Sequence, residues 1–190
     1  MKIIIMRHAK VQIENHKIYA NELKSQIEKY DKAPIEKQVK NLDELKELTD
    51  NVDFFVSSGL RRSLDSLALL DREANYIDRV FAEVESPYTK LKILKLPLYS
   101  WGFWFKILWR LGYSGGSCSY RESKEDAHKA SLQLEELAKQ HDRVLLLGHG
   151  IKNTLIAKSL KSRGWRESKK MSLKNWGYGT YEKVHKSNSH

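Results

Sequence analysis

The stretch Met1 to Lys10, MKIIIMRHAK, decides the fold. Its apolar run, Ile3-Ile4-Ile5-Met6, is short, β-branched and continuous, which is the pattern of a strand buried on both faces. Strands of that kind belong to α/β sheets, where ligands meet the chain just outside the carboxyl ends of the strands. Arg7 and His8 stand at that end. A cation and an imidazole at the tip of a buried strand suit an anion, with His8 as a nucleophile. The plainer reading is a strand that simply ends in polar residues.

Working outward, the same pattern returns twice. After helix-prone stretches at 20–30 and 41–48 comes VDFFV, a second buried strand, ending in Ser57-Ser58-Gly59-Leu60-Arg61-Arg62. A helix follows, with Leu60, Leu64 and Leu67 on one face. Ser57 and Ser58 suit its N-terminal cap, and Arg61 or Arg62 adds a planar cation fitted to phosphate. Val144 to Leu147 is a third apolar run, ending in Gly148-His149-Gly150, with another helix beyond. Strands separated by helices predict a parallel sheet, in which all three tips lie on one edge.

Composition sets the bounds. The chain has 190 residues, 41% hydrophobic and 31% charged, as one domain with a sizeable core. The net charge of +10 and pI near 9.5 favour anionic partners: phosphorylated substrates, nucleic acid or acidic lipid. Cys118 is the lone cysteine, which excludes an internal disulfide and a cysteine-based metal site. The N-terminus lacks a signal-peptide pattern, so a cytoplasmic location is expected.

The remaining segments are less regular. A strand-like stretch around Tyr76 to Phe81 leads into Ala82-Glu83-Val84-Glu85. In extended chain the two carboxylates point to opposite sides, so at most one faces a site. Residues 86–121 carry no acidic side chain, several lysines and arginines, and the aromatic cluster LPLYSWGFWFKILWRLGY. An insertion closing over the site as a lid, a contact with a membrane interface and a dimer contact all fit this stretch. The lid is favoured, because the segment interrupts an α/β pattern. A helix is expected from Ser123 to Gln140, with Ser123 and Asp126 at capping-box spacing. Residues 151–174 are basic, either a solvated face or a docking surface for an anionic partner. Gly177 to Val184 reads as a last strand at an antiparallel edge, and the final KSNSH as a tail.

MRHA, SSGLRRS and LLLGHG, in that order, resemble the histidine phosphatase superfamily, also called the phosphoglycerate mutase-like family. The resemblance runs from Met1 to about Leu160. It implies a three-layer α/β sandwich with a mostly parallel sheet, and the aromatic-rich insertion as its lid or cap. It implies a phosphomonoesterase with a phosphohistidine intermediate on His8, acting on a small phosphorylated substrate without metal or cofactor. Arg7, Arg62 and a protonated His149 form the phosphate pocket, and Arg62 fits the motif better than Arg61. Glu83 matches the position of the family's general acid, with Glu85 in reserve, and Ser57 joins Arg7 and Arg62 in binding phosphate and supports the nucleophile's surroundings. A phosphoglycerate-mutase-type phosphotransferase and a non-catalytic lipid- or nucleic-acid-binding member are the alternatives.

The sequence departs from the family beside the nucleophile. Ala9, Lys10 and Val11 stand where a glycine, an acidic or polar residue and a threonine are usual, and Gly59 replaces a proline. Lys10 is either a further pocket cation or a solvated side chain.

Overall fold

The computed structural model describes residues 1–183. In chain order the elements are β1 (Lys2–Arg7), β2 (Lys17–Ile18), α1 (Leu23–Lys32), α2 (Leu42–Asp50), β3 (Phe54–Ser57), α3 (Arg61–Leu69), β4 (Tyr76–Ile77), β5 (Leu96–Pro97), α4 (Leu98–Arg110), α5 (Tyr120–His141), β6 (Arg143–Gly148), α6 (Gly150–Ser162), β7 (Arg166–Lys169) and β8 (Tyr178–Glu182). Among the described residues, β4, β3, β6, β1, β8 and β7 form one sheet in that order. It is mostly parallel, because β1, β3, β4 and β6 run together and β8 runs against them.

The alternation of side chains along β1 explains the layers. Ile3 and Ile5 point to one face, into a core with Val144, Leu146 and the apolar stripes of α5 and α6. Ile4 and Met6 point to the other, against Leu145, Leu147 and residues of α2 and α3 such as Leu45 and Leu67. Both faces are covered, so a continuous apolar run was needed rather than an alternating one. The result is the expected three-layer α/β arrangement.

Register positions the strand tips. Arg7 pairs with Gly148, and Ser57 pairs with Leu147. His8, Ser58 and His149 therefore leave the sheet from one edge, nearly level with one another.

The region between β4 and α5 builds a cap. Leu98, Trp101 and Phe105 of α4 pack with Ile18, Ala20 and Leu23 in a cluster separate from the sheet's cores. A two-stranded ladder of β2 and β5 closes it, and the Trp101 indole donates to the Ile18 carbonyl at 3.0 Å. Trp109, at the far end of α4, enters the main core instead.

Four expectations change. The strand-like stretch at 76–81 is only two residues of strand, followed by a 3-10 turn whose Asp78 carboxylate accepts from Val80 N. Helix α5 begins three residues early: Ser119 is its cap, paired with Glu122 in a capping box, and Ser123 is buried inside it. β8 is an interior strand, because the charged segment RESK forms the edge outside it as β7. Leu60, not a serine, occupies the cap position of α3. Val184 and the tail at 186–190 lie outside the described residues.

Candidate active site

The strand edge gathers His8, Arg62 and His149, which are 2%, 4% and 0% exposed. Each polar atom has a definable role because its partners are restricted. His8 Nδ1 lies 2.6 Å from the Ala9 carbonyl, which only accepts, so Nδ1 carries the proton. The lone pair of His8 is therefore on Nε2. Its ring faces the His149 ring with centroids 5.2 Å apart. Arg62 Nε donates to His149 Nδ1 at 3.2 Å, and a guanidinium only donates. His149 thus holds its proton on Nε2, which donates to Ser58 Oγ at 2.7 Å.

This corrects one expectation. His149 is neutral here rather than protonated: burial holds it well below the usual histidine range, with Arg62, His8 and Arg7 adding to the effect. Burial also lowers His8 to about 3, helped by Arg62 and Arg7 and opposed by the Ala9 hydrogen bond. A neutral imidazole is the nucleophilic form.

The two arginines sit differently. Arg62 is held from outside by Asp31, Nη1 to Oδ1 at 2.5 Å, and its guanidinium lies 5.2 Å from the Tyr30 ring. Arg7 Nη1 donates to the Leu173 carbonyl at 2.6 Å. Its Nε–H is buried without a partner among the described residues and lies beside Gly150, where a Cβ would come within 3.5 Å of it. Arg61 points away, to the Lys32 carbonyl and Asp65.

Glu83 reaches the same edge from the segment after β4. Its Oε1 accepts from Lys152 N at 3.0 Å and its Oε2 from Ile151 N at 3.3 Å, so it satisfies the first turn of α6 immediately after His149. Glu85 is exposed. Lys106 of α4 belongs to the neighbourhood as well. Its ammonium is held below the usual lysine range by desolvation first, although much of the side chain is open to solvent. Glu83 opposes that shift and Arg7 adds to it.

Ser57 stands one layer behind the histidines. Its hydroxyl meets Ser63 Oγ at 2.9 Å and the Gly59 amide, while Ser58 makes the contact with His149. Lys10 turns away from the edge into an exposed pair with Glu36 at 2.7 Å. The unusual Ala9-Lys10-Val11 has a packing reason. Ala9 and Val11 are fully buried with Ile35, and the Lys10 carbonyl accepts from Glu36 N.

Several positioning residues escape a reading of spacing. Asn153 accepts from His149 N and donates to the Met6 carbonyl, crossing so close to Gly148 that a Cβ there would lie 2.2 Å from its Oδ1. Glycine is required by that approach. Asn175 donates to the His8 carbonyl and Ser66 accepts from Ala9 N. Only Asn153, four residues past His149 on a helix, left a signal in the sequence.

A three-layer fold with two histidines and two arginines at its strand edge makes the molecule an α/β protein with a cationic cluster at the carboxyl ends of its strands. No protein-family model matches the chain, and no curated protein matches it. Solved structures do. The product of an open reading frame of Mycobacterium tuberculosis aligns over 97% of this chain and 92% of its own, at 16% identity and a TM-score of 0.65. A histidine-to-alanine mutant of phosphoserine phosphatase from Entamoeba histolytica, in complex with phosphoserine, aligns over 97% and 91%, at 14% identity and 0.58. The α-ribazole phosphatase of Shigella flexneri aligns over 84% and 79%, at 14% identity and 0.55. The shared property is the fold, and it is the fold that the histidine phosphatase resemblance implies. Among the described residues no three His, Cys, Asp or Glu side chains gather as a metal site, and no helix is long and apolar enough to cross a membrane.

Proposed function

We propose that this protein hydrolyses small phosphomonoesters through a phosphohistidine on His8 Nε2. The observation that carries the reading is the tautomer. The Ala9 carbonyl holds the proton on Nδ1, which leaves the Nε2 lone pair beside His149 and Arg62. In the first step Nε2 attacks phosphorus as the bond to the leaving oxygen breaks, and that oxygen takes a proton from Glu83. In the second, water attacks phosphorus and gives a proton to the Glu83 carboxylate as the Nε2–P bond breaks, which releases phosphate and returns the lone pair to His8. Charge gathers on the equatorial oxygens throughout, so fixed donors matter most. The Arg62 guanidinium and the unpartnered Arg7 Nε–H supply them, in the role a metal fills elsewhere.

Likeness to phosphatases that handle small phosphorylated compounds supports the substrate class, and phosphoserine heads the panel worth screening. The pairing of β8 near the chain's end with β1 supports reading the chain as one domain. The test is acid-quench trapping with a labelled phosphomonoester. Wild type is expected to retain label and to release inorganic phosphate, and His8→Ala to do neither. Normal turnover by His8→Ala would sink the assignment. Release of an isomerised phosphoglycerate in place of phosphate would replace hydrolysis with a mutase.

A further inference from the structure

Helix α4 has two apolar sides and only one of them is covered. Leu98, Trp101, Phe105 and Trp109 are buried. At 100° per residue Phe103 falls opposite them and Trp104 on the flank, with Leu111 at the helix's C-cap, and they are 59%, 51% and 79% exposed. A helix that is apolar all round is ordinarily enclosed on all sides. The surplus is concentrated: of twelve large apolar side chains exposed among the described residues, nine lie between positions 91 and 113. Large apolar patches on a protein surface mark an interaction site.

Charge selects the occupant. Residues 86–121 contain no Asp or Glu, and carry Lys90, Lys92, Lys95, Lys106, Arg110 and Arg121. A second copy of this face would bring like charges together with no carboxylate in the segment to relieve them. Trp, Tyr and Phe set among Lys and Arg are instead the composition that seats at the boundary of headgroups and acyl chains. With 13 residues, α4 is suited to lying on a bilayer rather than crossing it.

We propose that the outer face of α4 docks on an anionic lipid bilayer. Apolar insertion by Phe103, Trp104 and Leu111 and attraction of the lysines and arginines to acidic headgroups act together, because neither signal alone gives stable anchoring.

The experiment is flotation of the full chain with vesicles of phosphatidylcholine alone or with phosphatidylglycerol, at low and high salt. Circular dichroism melts of every variant serve as the folding control. Wild type is expected to float with the anionic vesicles only, less so at high salt, with a blue shift in tryptophan emission. The double variant Phe103→Ser, Trp104→Ser is expected to bind about tenfold or more weakly with an unchanged melt. Arg110→Glu is expected to weaken binding by about fivefold or more. Absence of any preference for anionic vesicles overturns the proposal, as does full binding by the Phe103/Trp104 variant. Loss by that variant of oligonucleotide binding or of self-association, without vesicle binding in wild type, reassigns the face and also overturns it.

Discussion

The strand edge and the cap follow opposite rules of burial. At the edge, polar side chains are buried: His8, Arg62, His149, Ser58 and Asn153 are all below 5% exposed, and each is hydrogen-bonded. At the cap, apolar side chains lie in water while basic ones surround them. Burying polar groups is costly unless they are satisfied, and exposing apolar groups wastes the main driving force of folding. The two regions depart from the ordinary pattern in opposite directions. These departures underlie the two proposed roles: a small anion bound inside at the edge, and an anionic bilayer met outside by the cap.

Substitutions at each region sharpen the contrast. After the complete loss of turnover expected of His8→Ala, the largest effect is expected from Glu83→Gln. It keeps an acceptor for the α6 amides but cannot deliver a proton, so kcat should fall by about 10²–10⁴-fold. A fall of less than about tenfold, measured on a phosphomonoester, removes Glu83 from the mechanism. On the inner side of α4, Trp109→Ala is expected to cost about 3–5 kcal/mol in urea unfolding, because it empties a site in the main core. Phe103→Ala, a few residues away and exposed, should stay within about 0.5 kcal/mol of wild type. Comparable losses from the two would dissolve the distinction between the inner and outer sides of α4.

The edge also has a signature in acid. His8 and His149 titrate lower in the folded state than in the unfolded one, where the ordinary value is 6.5. Below 6.5 the unfolded chain binds the extra protons, so stability is complete above that value and falls as pH drops toward the folded His8 value of about 3. The slope contributed is about 1.4 kcal/mol per pH unit for each histidine. His8→Ala should lessen the slope in melts taken between pH 6 and pH 4, and an unaltered slope would show that His8 is not held neutral. Ser58→Ala falls between Trp109→Ala and Phe103→Ala, at about 1 kcal/mol of stability from the lost bond to His149 Nε2, read by the same melts.

The parts that could be read from sequence share one physical cause. β1, β3 and β6 are short apolar runs buried on both faces, and each stops at the residues that matter, so Arg7, Ser58 and His149 announce themselves. β7 is an edge strand of four charged and polar residues, so no apolar period marks it. Ser119 and Ser123 both head plausible capping boxes, and only packing of Ser123 into the interior separates them. Asn175 and His8 meet across 167 positions, a contact that no local pattern encodes. The neutral state of His149 comes from its burial first and then from an arginine 87 positions away, and neither is encoded locally. Glu83 stood out from Glu85 only by its match to the family pattern; the geometry adds that Glu83 turns to α6 while Glu85 is exposed.

The seam between β1 and its partners has a consequence for how the protein is made. β1 emerges from the ribosome well before its partners β6 and β8, and before Leu173 and Asn175, which hold Arg7 and His8. At ~5–20 residues per second the apolar β1 waits roughly ten seconds to half a minute before it can pair. During that time it is a segment for chaperones to shield. A chain halted before those last contacts would carry Arg7 and His8 but not the carbonyl and amide that hold them. Incomplete synthesis would then yield a protein without a finished site rather than a partly active one.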